Sequence, residues 1–172
     1  MPVFRRSGLG FVVIAGVAVL AAGCTITGGG WFASPSGGKV AFTVNGTSDE
    51  ASGDVTGGGD IHDQALGVDA HLVAAGTIEG GPQAFNFFVR TLNCADTEGV
   101  SLDDRASEVT LVGQYTPQPK TQGPGGTFFA LVQDRGQGRS GQGDFVAVEL
   151  FGGVFDGYFS CGIVQGGNFN VK

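Results

Sequence analysis

The sequence predicts an all-β fold: an antiparallel β-barrel or sandwich of about eight or nine strands. Glycine makes up 33 of the 172 residues, and glycine weakens a helix by roughly 1 kcal/mol per interior position. The 14 phenylalanines argue against disorder, because disordered chains are poor in aromatic residues. Short stretches that alternate apolar and polar residues lie between Gly-rich turns, without a strong strand–helix–strand pattern. These observations favour short strands joined by tight turns.

The predicted strands follow one another from residue 39 to the C-terminus. The clearest alternation runs over residues 39–45, where Val40, Phe42 and Val44 share one face and predict a half-buried strand. The other predicted strands cover residues 53–61, 66–74, 84–92, 108–116, 127–133, 144–151, 155–163 and 168–171.

The stretch 84–92 gives the strongest strand prediction, because Phe85, Phe87 and Val89 share one face. An acidic insertion, residues 95–107, follows it and is long enough to hold a short helix. Gly-rich turns cannot hold the chain together, so buried side chains must do so. The residues predicted to supply most of the core are Phe42, Phe85, Phe87, Leu111, Phe129, Leu131, Phe145 and Phe159.

The N-terminus has the parts of an export signal. Arg5 and Arg6 precede residues 9–23, which carry no charge; a basic start, an apolar segment of ~15 residues and small residues near a cleavage point are typical of a signal peptide. The apolar segment is short for a membrane span, which needs ~20 residues. Cys24 follows directly after Ala22 and Gly23.

Residues 21–24 (AAGC) resemble the lipobox of bacterial lipoproteins, although Leu20 lies one position earlier than the usual leucine. The resemblance implies that Cys24 receives a diacylglyceryl group and becomes the first mature residue. We therefore predict a signal peptide over 1–23, a Gly/Ser-rich tether over 24–37 and a single antiparallel β domain over 38–172. The predicted location is the outer, extracytoplasmic face of a bacterial cell membrane.

The charge of the mature chain limits its partners. Without Arg5 and Arg6, 7 of the 9 basic residues remain against 16 acidic ones, a formal charge of −9. Such a surface repels phosphate backbones, so nucleic acid is excluded as an expected partner. It also adds nothing to the binding of anionic lipid headgroups, so acyl chains on Cys24 must provide the membrane attachment.

Two cysteines remain after lipidation, Cys94 and Cys161. In an exported domain such a pair predicts a disulfide. In the chain-entropy model a loop this long stabilises the fold by on the order of 4 kcal/mol.

The candidate chemical cluster consists of Asp60, His62, Asp63, Asp69 and His71. Imidazole and carboxylate groups can bind a divalent metal such as zinc, but the spacing matches no known ligand pattern, and a polar outer face explains the residues as well. The sequence has no Gly-x-Ser-x-Gly motif and no defensible Ser/His/Asp order. We therefore expect no catalytic residues, no metal and no cofactor.

A series of short motifs resembles a Gly-rich β module of secreted bacterial proteins that often follows choice-of-anchor domains. The resemblance covers roughly residues 30–172 and implies a fold and a location, because that module has no established activity. The motifs are 30–32 (GWF), 38–42 (GKVAF), Asp63 with Gly67 and His71, 132–136 (VQDRG), 144–148 (DFVAV) and 166–168 (GGN).

Two functions are compatible with this sequence. The first is a non-catalytic, envelope-anchored β module that acts in envelope structure or in contacts with other proteins. The alternative is a closed barrel whose interior holds a small apolar ligand. The volume of the interior cavity distinguishes the two.

Overall fold

The computed structural model describes residues 25–34, 36–48, 55–76, 81–95, 107–136 and 143–172. The predicted all-β class is confirmed: nine antiparallel strands form one sheet, accompanied by one α-helix in the described part of the chain. The predicted signal peptide, Cys24 and most of the acidic insertion lie outside the described residues. The elements are β1 Thr25–Ala33, β2 Lys39–Ser48, β3 Val55–Asp63, β4 Val68–Gly76, α1 Pro82–Ala95, β5 Ser107–Pro117, β6 Gly126–Asp134, β7 Phe145–Phe151, β8 Phe159–Ile163 and β9 Gly166–Val171.

The sheet curls on itself and is barrel-like. Its order is β8-β7-β6-β5-β4-β3-β2-β1-β9, so the two edge strands are consecutive in the chain, and the antiparallel pairings make them run in the same direction. At Val164 and Gln165 the chain stops pairing with β7 and begins to pair with β1. The Val164 amide donates to the Asp144 carbonyl at 2.7 Å, and the Gln165 amide donates to the Trp31 carbonyl at 2.9 Å. One extended run therefore joins both edges of the sheet.

Two carboxylates complete the contact between β9 and the β6–β7 side of the sheet. The Phe169 amide donates to Oδ2 of Asp144 at 2.7 Å, and the Val171 amide donates to Oδ2 of Asp134 at 3.1 Å. An unpaired strand edge leaves a row of free N–H and C=O groups. Here side-chain oxygens accept from two of those N–H groups where no neighbouring strand does.

Alternation along the strands places one set of side chains inside the curled sheet. On β2, for example, Val40, Phe42 and Val44 are buried and the residues between them are exposed, as predicted. The rings of Phe42 and Phe169 lie 6.0 Å apart across the interior. This interior cluster is built from Ile26, Phe32, Val40, Phe42, Val44, Ile61, Ala70, Leu72, Leu111, Tyr115, Phe128, Val148, Leu150 and Phe169, among others.

The tether predicted over residues 24–37 is wrong for residues 25–33, which form β1. The prediction rested on the small residues there, but a strand pairs through its backbone and does not need side chains. The Thr25 amide donates to the Lys172 carbonyl at 2.8 Å, and the Lys172 amide donates back at 2.9 Å. Gly28 has φ +153°, and a Cβ there would lie 2.7 Å from Cα of Phe169. Only glycine allows β9 to approach β1 this closely.

The strand predicted over residues 84–92 is also wrong, because this stretch belongs to α1. Ala84, Phe87 and Thr91 are buried at the three- and four-residue spacing of a helix, and Pro82 occupies the first helical position, where its missing N–H is tolerated. Phe85 is 68% exposed, so its assignment to the core was wrong. Among the described helices, none is long and apolar enough to cross a membrane.

Helix α1 lies on the outer face of β6, β7 and β8, where it creates a second apolar cluster. The ring of Phe87 lies 5.8 Å from that of Phe129 and 6.4 Å from that of Phe159. Strands β6 and β7 are therefore buried on both sides. Of the predicted core residues, Phe87, Phe129, Leu131 and Phe145 are buried in this second cluster, and Phe159 is partly buried against it.

Candidate functional site

The outward side chains of β3 and β4 include four of the five predicted Asp and His residues. The register pairs Asp60 with His71 and His62 with Asp69. Nδ1 of His71 lies 3.0 Å from Oδ1 of Asp60, and Nδ1 of His62 lies 3.4 Å from Oδ2 of Asp69. All four side chains are at least 45% exposed. The structure therefore brings these residues together as two separate cross-strand pairs on a solvated face.

Asp63, the fifth candidate, points to the opposite side of the sheet and is fully buried. Its carboxylate accepts hydrogen bonds from the hydroxyls of Ser34 at 3.3 Å and Tyr158 at 3.2 Å. It also accepts from the amides of Ala65 at 3.0 Å and Leu66 at 3.2 Å, in the turn between β3 and β4. Asp63 thus holds together a turn, the end of β1 and the segment before β8.

Burial of Tyr158 keeps its phenol protonated as a donor in this cluster. Removal from water raises the pKa of Tyr158 above its ordinary value, and the negative charge and hydrogen bond of Asp63 act in the same direction, while Ser160 opposes them. The Tyr158 hydroxyl therefore donates to Asp63 over the whole physiological pH range. This arrangement is suited to structural support rather than to proton transfer.

Strand alternation explains why the Asp and His residues do not converge. Residues 60, 62, 69 and 71 share the outer face, while residue 63 faces inward, so the five candidates divide between two surfaces. Within the described ranges, no group of three or more His, Cys, Asp or Glu side chains is arranged to hold a metal ion.

A wide groove lies on the outside of β1, β2 and β3, toward the Thr25 end of the sheet. It encloses about 510 Å³ and is open to solvent. The register places Thr25, Thr47 and Thr56 in one row across the three strands, and the hydroxyls of Thr47 and Thr56 lie 3.1 Å apart. The lining residues are Thr25, Thr27, Asn45, Gly46, Thr47, Thr56 and Gly57. None of these described residues is charged, so they can recognise a partner by hydrogen bonds. We refer to the outward surface of β1–β4 as the open face.

The interior cavity at the Thr25 end of the sheet is small. It holds about 30 Å³ and is lined mainly by apolar side chains, including Ile26, Val55, Val109 and Leu111. That volume corresponds to about one water molecule, whereas pockets for small ligands measure roughly 300–1,000 Å³.

A partly buried ion pair between α1 and β7 escaped the sequence analysis. Glu149 is 4% exposed, and Nη1 of Arg90 donates to its Oε1. The guanidinium of Arg90 also lies 4.2 Å from the centre of the Phe159 ring. Burial raises the pKa of Glu149, and the charge and hydrogen bond of Arg90 oppose that rise. The sequence signal that could have indicated this pair is the single carboxylate, Glu149, within the apolar run 145–151 (FVAVELF).

The predicted disulfide is present. Cys94 near the end of α1 is bonded to Cys161 in β8, with 6.3 Å between the two Cα atoms. The bond fixes the helix to the strand beneath it, since both residues belong to or pack against the second apolar cluster.

No family model matches the sequence, and neither the curated proteins nor the solved structures contain a match to it. The similarity to the Gly-rich module therefore rests on the short motifs alone.

Proposed function

We propose that this protein is a non-catalytic, envelope-anchored β module, held on the extracytoplasmic face of a bacterial membrane by lipid on Cys24. It acts in envelope structure or in contacts with other envelope proteins. The observation that carries the proposal is the open face, which no other described element covers. The described residues that line its groove are uncharged and include hydroxyl and amide side chains, which suits a contact surface.

The position of β1 supports anchoring close to the membrane. Thr25, the residue after Cys24, is already hydrogen-bonded to Lys172 in both directions. A lipid on Cys24 would thus hold the curled sheet at the bilayer surface with almost no intervening chain. Two or more acyl chains are sufficient for stable attachment, which the acidic mature chain could not obtain from its charge.

The arrangement of the polar side chains supports a non-catalytic role. Each histidine of the candidate cluster pairs with an aspartate on the neighbouring strand, and Asp63 is fully engaged by four donors. A catalytic site needs its acid, base or nucleophile to converge on one concave position. These residues occupy two separate solvated pairs and a packed interior instead.

The alternative function, the binding of a small apolar ligand, finds less support. The interior is occupied by buried side chains, and the cavity of about 30 Å³ at the Thr25 end lacks room for such a ligand.

Replacement of Cys24 by Ser tests the anchor. In bacteria that express the full chain, we expect the wild type to partition into detergent and Cys24→Ser into the aqueous phase, because the thiol is the lipid attachment point. Thr25→Ser is the matched control and should partition like the wild type. Equal partitioning of Cys24→Ser and the wild type would contradict the proposal.

A further inference from the structure

Strand β1 enters the sheet at the residue directly after Cys24. The Thr25 amide donates to the Lys172 carbonyl at 2.8 Å, and the Lys172 amide donates to the Thr25 carbonyl at 2.9 Å. Thr25 is also in register with Thr47 of β2, and the next side chain, Ile26, is 2% exposed in the interior. The backbone N–H and C=O groups of Thr25 are therefore both occupied once β9 has paired with β1.

If Cys24 carries the proposed lipid anchor, on which this inference rests, two reactions must take place there. In the first, the Cys24 thiol forms a thioether bond to the glyceryl carbon of a membrane phospholipid. The bond from that carbon to the phosphate breaks, and the phosphate headgroup leaves with the thiol proton. Water then cleaves the peptide bond between Gly23 and Cys24, which leaves a carboxylate on Gly23 and an amine on Cys24. The lipid donor lies in the bilayer, so both reactions need membrane enzymes.

The folded domain competes with those enzymes for the same stretch of chain. Proteins that bind an extended peptide commonly pair with its backbone N–H and C=O groups, and in the fold the groups of Thr25 pair with Lys172. Consecutive Cα atoms are about 3.8 Å apart, so the covalent chain keeps Cys24 within one residue of β1. A longer free segment requires Ile26 to leave the interior, and cleavage then depends on that local opening.

The start of β1 opens only if β9 separates from it. The register pairs Ile26 with Val171 and Gly28 with Phe169, and the two backbones at Gly28 are so close that a Cβ there would lie 2.7 Å from Cα of Phe169. Strand β9 is the last of the described strands in chain order. A chain exported from its N-terminus therefore completes this contact late, after residues 23–25 have reached the membrane surface.

We propose that lipid transfer to Cys24 and cleavage before it take place before β9 docks on β1, and that this docking ends the period in which the chain can be processed. Until then residues 25–33 are the extended substrate that the membrane enzymes bind. Afterwards the same residues form β1 and hold the finished domain next to the bilayer.

The test uses the unprocessed full chain, purified in mild detergent from cells that lack the lipid transferase and checked for folding by cooperative urea unfolding. Incubation with membranes that contain both enzymes starts processing, and intact mass measures the gain of lipid and the loss of the signal peptide. One variant carries about eight Gly/Ser residues between Cys24 and Thr25, which add roughly 15 Å of reach. The matched control carries the same insertion between Ser36 and Gly37, which are exposed between β1 and β2.

We expect the folded variant with the linker after Cys24 to be processed about tenfold faster than the folded wild type, because the linker frees the cleavage point while β1 stays in the sheet. The control insertion should leave the rate at that of the wild type. Equal rates for the wild type and the linker variant, or equal acceleration by the control insertion, would overturn the proposal.

Gly28→Val provides a second comparison without a linker. Its side chain would collide with β9, so processing should accelerate, whereas Thr27→Val changes an exposed neighbour and should leave the rate unchanged. Equal rates for these two variants would also overturn the proposal. Absence of lipid from every variant, including Gly28→Val, would instead contradict the anchor on Cys24 itself.

Discussion

The outer surface of the curled sheet has two regions that obey the same alternation and differ in what covers them. On β6, β7 and β8 the outward residues are mostly apolar, with Thr127, Gln133 and Glu149 as polar exceptions; the apolar ones are Phe129, Leu131, Phe145, Ala147, Phe151, Phe159, Cys161 and Ile163. Helix α1 covers them. On the open face of β1–β4 the outward residues are mainly Thr, Asn, Asp and His, and water covers them.

The difference shows that the outward-facing residues of each strand decide whether a second layer packs on the sheet. Both regions contribute their inward residues to the same interior cluster. Where the outward-facing residues are apolar, they must also be buried, and a helix with one apolar side commonly covers them. A polar outward half can stay in water and remains available for contacts. Burial should therefore dominate stability on the covered region and matter little on the open face.

The largest expected effect comes from Phe87→Ala in α1. The ring is fully buried between Phe88, Phe129 and Phe159, so we expect a loss of ~3–5 kcal/mol in the free energy of unfolding. Phe85→Ala, two positions earlier, is the matched control and should change it by less than ~1 kcal/mol, because that ring is mostly exposed. Urea unfolding measures both. Similar losses in the two variants would mean that α1 is not packed as described.

The next largest effect should follow removal of the disulfide. Replacing Cys94 and Cys161 together by Ala opens a link between residues 67 positions apart and should reduce stability by ~2–4 kcal/mol. Amide exchange should rise more in α1 than in β2–β4, because the bond fixes α1 to β8. If amide exchange accelerated equally in α1 and in β2–β4, the disulfide would not stabilise the covered region specifically. Free thiols in the unreduced wild type would show that the bond is absent.

The smallest effect is expected on the open face. His71→Ala removes an exposed pair with Asp60 and should change the free energy of unfolding by less than ~0.5 kcal/mol. Zinc should leave the melting temperature of the wild type unchanged, because the His/Asp residues form two separate pairs. Destabilisation as large as that of Phe87→Ala would contradict the expected small contribution of the pair, and a zinc-dependent rise in melting temperature that His71→Ala abolishes would establish a metal site there.

Part of the candidate site could be read from the sequence. Asp69 and His71, two residues apart in an alternating stretch, had to share one face of a strand. Their partners depended on the register between β3 and β4, which places Asp60 opposite His71. Alternation also places Asp63 on the opposite face from His62, but one of the groups that its carboxylate meets there, Tyr158, lies 95 residues away in the chain. Such contacts are set by how distant segments meet, and local spacing does not contain them.

The sequence by itself determined the all-β class and most of the strands, because alternation over β2, β4 and β5 reflects one buried side per strand. It also indicated the disulfide.

Only the tertiary structure decided that residues 84–92 form a helix: Phe85, Phe87 and Val89 fit a period of two, while Ala84, Phe87 and Thr91 fit a helix equally well. Strand β4 pairs directly with β5, so the intervening segment has no place in the ladder, and the apolar outside of β6–β8 requires cover. The link between the two edges of the sheet through Val164 and Gln165 was also decided only by the tertiary structure, because it requires the edge strands β8 and β9 to meet in space.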